Sequence, residues 1–292
     1  MAQVEAGAPP AERPPVGLPG EELLAKAHAE NFPVALRLLP RRARTALEAV
    51  YGFARLVDDA GDLAPGDRSA LLDWLERDLD LAYDGRARHP LLRRLTPVVR
   101  EHGLPDEPFR RLLEANRLDQ VRGRYGSFDE LLGYCRLSAA PVGELVLRVF
   151  GAATPDRLRR SDRVCAALQL AEHWQDVGED LARGRLYLPL DDLARFGVAE
   201  DDLRPGPPSE RVCRLLAFEV QRARALLAEG VPLVASLRGR ARLAVAAYVA
   251  GGRSALDAIE RSGYDVLGSA APPRASRGAR LLDVARVLRE AR

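Results

Sequence analysis

The sequence has little lysine, few aromatic residues and few cysteines. Of its 44 basic residues only Lys26 is a lysine, so almost every positive charge is a guanidinium group, which suits bidentate contacts with phosphate oxygens. Cys135, Cys165 and Cys213 are far apart and odd in number, a pattern that favours reduced, buried thiols over a disulfide framework. The sequence therefore predicts a cytoplasmic protein that contacts anions through arginine.

The sequence also lacks long apolar runs and a large excess of positive or negative charge. No segment reaches the roughly 18 apolar residues of a membrane-spanning helix. Residues 1–20 are rich in proline and alanine and lack the apolar core of a signal peptide, so we expect them to form a disordered leader. The net charge is +2, with acids and bases interspersed, which argues against nucleic acid as a partner.

Several common catalytic motifs are missing as well. The four histidines, His28, His89, His102 and His173, show no H-x-x-x-H pairing, so a zinc site is not expected. The sequence contains no G-x-G-x-x-G, no P-loop and no G-x-S-x-G elbow, which removes the usual signs of a dinucleotide enzyme, a P-loop NTPase and a serine hydrolase.

What the sequence does contain is helix signals, which predict an all-α fold with one domain over residues 21–292. The apolar periodicity and the caps place helices at about 21–31, 41–62, 68–84, 90–102 and 106–122. No strand-like alternating pattern separates them, so we expect helices to pack on helices.

The second half of the chain continues this pattern. A capping box at Ser127–Glu130 opens a helix that we expect Pro141 to kink. Thr154 is an N-cap that opens a helix reaching Ala182. Two long helices follow to about residue 263, and residues 268–280 are predicted to link them to a short terminal helix.

The first candidate site is a carboxylate cluster at the end of the 41–62 helix. The apolar stripe of this helix comprises Leu47, Val50, Tyr51, Ala54 and Val57. Asp58 and Asp62 continue the same stripe, with Asp59 beside them. A buried carboxylate needs a compensating cation, and oxygen ligands one turn apart suit Mg²⁺. Arg55, one turn earlier, can contact a carboxylate or a metal-bound phosphate.

The second cluster lies on a helix that is apolar nearly all round. Gln169, Asp176 and Asp180 are predicted to share one narrow sector, with Glu172 beside it. A polar stripe on a buried helix is typical of a cavity wall. After it come Arg183 and Arg185, a basic pair that could close over an anion.

Together the clusters predict a Mg²⁺–diphosphate site. Acidic pairs at this spacing are often solvated helix faces, and either cluster alone would be weak evidence. Two inward-facing clusters favour a different arrangement, in which two acidic walls hold several Mg²⁺ ions and the ions hold a diphosphate. Metal binding would make C–O ionisation feasible, and an apolar cavity would contain the carbocation.

These segments resemble the squalene/phytoene synthase family of head-to-head prenyl synthases. The resemblance rests on Ala49–Asp62, on Leu168–Asp180 with its continuation Arg183–Pro189, and on Tyr134–Gly143 between them. It runs from about residue 21 onward and implies an isoprenoid-synthase α-fold, a helical bundle around a central cavity.

The resemblance also implies roles for individual residues. It implies that Asp58, Asp59, Asp62, Asp176 and Asp180 serve the metal–diphosphate site. It places Arg55 and Arg185 on the diphosphate, and Tyr51 and Tyr187 near the cation. The family commonly has Asn at the position of Glu172, where a carboxylate could either bind metal or repel the diphosphate.

Residues 30–34 and 38–40 resemble the bacterial hopanoid-pathway branch, the hydroxysqualene synthases. This implies ionisation of presqualene diphosphate, rearrangement and capture by water, without a nicotinamide cofactor. Neighbouring branches make presqualene diphosphate from two farnesyl diphosphates, or phytoene from two geranylgeranyl diphosphates. A further alternative is a non-catalytic helical partner protein. A lipid product suggests transient contacts with a membrane surface and with pathway enzymes.

Overall fold

The computed structural model describes Leu18, residues 39–267 and residues 277–291, with side chains from residue 282 in the last range. The helices are α1 (Arg41–Asp62), α2 (Arg68–Asp84), α3 (Pro90–His102), α4 (Glu107–Asp119), α5 (Phe128–Ser138), α6 (Ala140–Val149), α7 (Pro155–Gln175), α8 (Val177–Ala182), α9 (Leu190–Phe196), α10 (Glu210–Gly230), α11 (Pro232–Ser236), α12 (Gly239–Arg261) and α13 (Arg277–Glu290). A 3₁₀ turn spans Glu200–Leu203. The all-α prediction is confirmed.

Most predicted helix bounds agree with the structure. The helices expected at 41–62, 68–84 and 90–102 begin and end at those residues, whereas the one expected at 106–122 ends earlier, as α4, at Asp119. Ser127 and Thr154 act as N-caps as predicted, since their hydroxyls accept backbone N–H bonds from Glu130 and Arg157. The Glu130 carboxylate of the predicted capping box accepts a hydrogen bond from the backbone N–H of Gly126. Of the predicted leader only Leu18 is described, and the 21–31 helix lies outside the described residues.

The helix expected to kink at Pro141 is two helices. α5 ends at Ser138 and α6 begins at Ala140, which places Pro141 in the first turn of α6. The physical reason is that proline lacks an N–H donor, and the first turn of a helix does not need one. The proline therefore starts a new helix where we expected it to bend an existing one.

The helix expected to reach Ala182 also divides in two. α7 ends at Gln175, and Asp176 leaves the helical region with φ −105° and ψ 15° before α8 begins at Val177. The predicted shared sector of Gln169, Asp176 and Asp180 assumed an unbroken helix, so that part of the prediction is wrong.

The core consists of two clusters of buried residues. One surrounds α7, which packs against α6, α10 and α12 and buries Trp174 completely. The other surrounds α1, which packs against α3, α4 and α6 and buries Phe53 completely. Burial of apolar surface of this extent is the main force that holds the helices in place. As a result, α1 and α7 each turn one face towards the space between the clusters.

No helix in the described part of the chain is long and apolar enough to cross a membrane. All three cysteines are unpaired, with Cys135 buried and the other two partly buried.

Candidate active site

A cavity of about 460 Å³ lies between α1 and α7. This volume is in the usual range for a small-molecule pocket. Five residues predicted from the sequence line it: Tyr51, Arg55 and Asp58 from α1, and Gln169 and Glu172 from α7. The rest of the wall is mainly apolar, with side chains that include Leu47, Val50, Val146, Leu168 and Val245. The structure thus brings residues of both predicted regions to one cavity with a polar end and an apolar interior. The other predicted site residues are not part of its wall: Asp59, Asp62, Asp176, Asp180, Arg183 and Arg185.

Asp58 faces the cavity from the last turns of α1. Nδ2 of Asn116 on α4 donates a hydrogen bond to its Oδ1 at 3.2 Å. A Cβ at position 61 would lie 2.4 Å from Oδ1 of Asn116, so the glycine there lets this amide approach. The Asp58 side chain is exposed to the open cavity, while the protein that forms the cavity wall reduces its hydration. Burial, aided by repulsion from Asp62, raises the pKa of Asp58 to about 6.

Asp59 points away from the cavity. Its side chain is 6% exposed, and its Oδ1 lies 2.9 Å from Nε of Arg55. Because Arg55 itself lines the cavity, Asp59 contacts the site through this guanidinium. The sequence grouped Asp59 with Asp58 and Asp62, but the structure gives it a different partner.

An ion pair joins the two motif regions. Nη2 of Arg185 lies 2.6 Å from Oδ1 of Asp62, and the two side chains are 14% and 29% exposed. Burial lowers the pKa of Arg185, but the hydrogen bond and charge of Asp62 outweigh burial, and the net shift is upward. The end of α1 is therefore held directly to the segment that follows α8.

The carboxylates around α8 are crowded. Burial, followed by repulsion from Asp180 and Glu179, raises the pKa of Asp176. Oδ2 of Asp180 lies 3.7 Å from Nδ1 of His173. Arg183 is about half exposed and pairs with Glu179 at 2.6 Å. This end of the site therefore carries an excess of negative charge that added cations would compensate.

Tyr187 is buried in an aromatic cluster and is not part of the cavity wall. Its ring stacks on His173 with 3.7 Å between centroids. Its hydroxyl donates to Oδ1 of Asp119 at 3.2 Å, and the Tyr134 hydroxyl donates to Oδ2 of the same carboxylate at 2.7 Å. The resemblance placed Tyr187 near the cation. In the structure Tyr187 is buried and does not line the cavity.

Sequence reasoning missed Asn116 and Asp119. Both lie on α4, where Leu112 and Ala115 are buried at the preceding positions of the same stripe. The helical spacing that drew attention to Asp58 and Asp62 also applies to these residues, so the same signal was available.

The chain is similar to proteins of a known family. The squalene/phytoene synthase family model matches residues 25–279. The chain is 35% identical over 254 residues to a phytoene synthase of Arthrospira platensis, covering 82% of each chain. It is 36% identical over 213 residues to a hydroxysqualene synthase of Sinorhizobium fredii, covering 72% of each.

A solved structure agrees with these relatives. The crystal structure of squalene synthase HpnC from Alicyclobacillus acidocaldarius is 44% identical to this chain, with a TM-score of 0.77, and the match covers 83% of this chain and 92% of that one. The fold is therefore the isoprenoid-synthase helical fold predicted from the sequence. On all of these findings, the chain belongs to the squalene/phytoene synthase family of enzymes.

Proposed function

We propose that this enzyme ionises presqualene diphosphate with Mg²⁺ and that water captures the cation to give hydroxysqualene. The observation that carries the proposal is a single cavity with a carboxylate-bearing end and an apolar interior. The 44% identity to a protein described as a squalene synthase, and the hydroxysqualene synthases among the relatives, favour this branch.

The donor set fits Mg²⁺. Asp58 and Asp62 on α1 and Asp176 and Asp180 around α8 supply hard carboxylate oxygens. Within the described residues, no three acidic, histidine or cysteine side chains converge on one point. Proteins commonly hold Mg²⁺ with one or two carboxylates while substrate phosphates and water complete the shell, so we assign these aspartates to that role. Mg²⁺ bound there would neutralise the diphosphate and make it a better leaving group.

One arginine lines this end of the cavity, and two more lie in the segment that follows α8. Arg55 lines the wall and is oriented by Asp59. Arg185 and Arg183 are paired with acidic side chains of the site, Asp62 and Glu179. Guanidinium groups bind phosphate oxygens in a fixed, bidentate geometry. We assign these arginines to binding and orienting the diphosphate, and we assign Asp59 to positioning Arg55.

The apolar wall would contain the carbocation after ionisation. Side chains such as Val50, Val146 and Val245 exclude bulk water and offer no nucleophile. Tyr51 is the aromatic residue on the α1 side, where its ring face could stabilise positive charge. Gln169 and Glu172 line the opposite side and provide polar contacts to the substrate.

Two alternatives follow from specific observations. The Arthrospira relative, 35% identical, favours phytoene or presqualene diphosphate synthesis, a prenyl transfer. The carboxylate of Glu172, where the family commonly has Asn, would fit a non-catalytic partner protein if it repels diphosphate. For either enzyme we propose a cytoplasmic location, based on the unpaired cysteines, and transient contacts with membrane and pathway enzymes through the lipid product.

Product analysis tests the proposal. The full-length protein is incubated with Mg²⁺ and, separately, with presqualene, farnesyl and geranylgeranyl diphosphates, with EDTA as the control. Hydroxysqualene from presqualene diphosphate alone is expected. A product from either shorter substrate would move the enzyme to a neighbouring branch. No product from any substrate, with ligand binding unaffected by EDTA, would favour the non-catalytic alternative.

A further inference from the structure

Asp119 lies at a junction that neither aspartate motif includes. It is in the last turn of α4, and its carboxylate accepts hydrogen bonds from the hydroxyls of Tyr134 and Tyr187 at 2.7 and 3.2 Å. The two tyrosines come from α5 and from the segment after α8. One carboxylate therefore ties together three parts of the chain that are distant in sequence.

One branch of this junction leads to the second motif and the cavity. The ring of Tyr187 stacks on His173 at an interplanar angle of 17°. Nδ1 of His173 lies 3.7 Å from Oδ2 of Asp180, and its Nε2 lies 3.2 Å from Nε2 of Gln169, which lines the cavity. A displacement of Tyr187 would therefore move His173 and alter its contacts with Asp180 and Gln169.

The other branch leads to Arg185 and the first motif. Burial raises the pKa of Asp119, while the Tyr134 hydroxyl, the charge of Arg185 and the Tyr187 hydroxyl oppose this rise. Arg185 binds Asp62 and stands two residues before Tyr187, so the hydrogen bond from the Tyr187 hydroxyl to Asp119 also anchors the backbone that carries Arg185. A partly buried anion such as Asp119 is costly unless it is fully compensated.

We propose that Asp119 is a positioning residue that fixes Arg185 and Tyr187 so that the guanidinium is oriented towards the diphosphate. The inference rests on the proposed function, because it assigns Arg185 to that ligand. Asp119 itself contacts no substrate. It holds the segment that carries Arg185 and Tyr187, and through Tyr187 it keeps the Tyr187–His173 stack beside Asp180.

The test measures binding of inorganic diphosphate in Mg²⁺ by isothermal titration calorimetry, with the full chain. Asp119→Asn keeps the shape but removes the charge, and we expect it to weaken binding by about tenfold. Arg185→Gln should do the same, and the double variant should be no weaker than the weaker single one, because one acts through the other. Asp78→Asn is the matched control. Asp78 is 1% exposed and accepts backbone N–H bonds from Arg88 and His89, so its loss should lower stability without changing diphosphate affinity.

Wild-type affinity in Asp119→Asn, or fully additive losses in the double variant, would overturn the proposal. If Asp119→Asn does not fold, Tyr134→Phe and Tyr187→Phe remove the two donors singly, and wild-type affinity in both would overturn it equally. Tight Mg²⁺-dependent diphosphate binding without hydroxysqualene formation would reject the proposed reaction and leave the role of Asp119 standing. No diphosphate binding by the wild type would reject both.

Discussion

The end of α1 and the junction of α7 with α8 both carry aspartates, but their surroundings differ. On α1 the helix continues through Asp62, and each carboxylate has a partner: Asn116 for Asp58, Arg55 for Asp59 and Arg185 for Asp62. At the junction the helix breaks at Asp176, and like charges surround that residue. The first region is therefore positioned by the protein, whereas we propose that bound cations complete the second. Each prediction below tests this difference.

The largest effect is expected from removing one carboxylate on each side. Asp58→Asn and Asp176→Asn should each lower turnover of presqualene diphosphate by about a hundredfold or more, because each removes a Mg²⁺ ligand. Metal-free stability should not fall in either variant, since the substitutions relieve repulsion. Turnover and circular dichroism melts check this, and unchanged turnover in both variants would refute the mechanism.

The next effect concerns the ion pair between the regions. Arg185→Gln should raise the KM for substrate by about tenfold, since a charge-assisted phosphate contact is lost. The melting temperature should also fall, because the pair is largely buried and Asp62 is left without its partner. Arg183→Gln is the matched comparison, and its exposed ion pair predicts a smaller rise. Equal KM values in the two variants would remove the distinction between the arginines.

A smaller effect is expected in the pH dependence of metal-free stability. The pKa of Asp58 rises from 3.8 to about 6 on folding. Between pH 3.8 and about 6 the folded state therefore binds more protons than the unfolded state. The free energy of unfolding should therefore fall as pH rises through this range. Asp58→Asn should lack this component, which urea unfolding at several pH values would reveal. Identical pH profiles for the two proteins would show that Asp58 is not desolvated.

The smallest effect is expected at Glu172. If its carboxylate helps to bind Mg²⁺, Glu172→Asn should raise the Mg²⁺ concentration for half-maximal activity by about two- to threefold, with little change in kcat. Metal titration of turnover measures this. A lower requirement in the variant would instead show that Glu172 repels the diphosphate.

Local signals predicted most of the fold. The bounds of α1 at Arg41 and Asp62 followed from periodicity alone, and the inward direction of Asp58 followed from its stripe. Two junctions could not be predicted in this way. Whether Pro141 bends a helix or begins one, and whether Asp176 continues α7, depends on how the flanking segments pack.

The partners of the site were harder to predict than its aspartates. The hydrogen bond from Asn116 to Asp58 spans 58 positions and that from Arg185 to Asp62 spans 123, and such pairs depend on the tertiary fold. The helical spacing of buried residues on α4 could have predicted that Asp119 faces inward. It could not have predicted that two tyrosines donate hydrogen bonds to Asp119. The sequence thus predicted which side chains form the site, but it did not predict the tertiary contacts that hold them.

The most direct test of the central claim is a calorimetric titration of inorganic diphosphate into the wild type, Asp58→Asn and Asp176→Asn, with Mg²⁺ and with EDTA. The account predicts binding to the wild type only with Mg²⁺ and a large loss in both variants, because the two regions form one metal–diphosphate site. Binding that survives EDTA, or that is lost in only one variant, would contradict it.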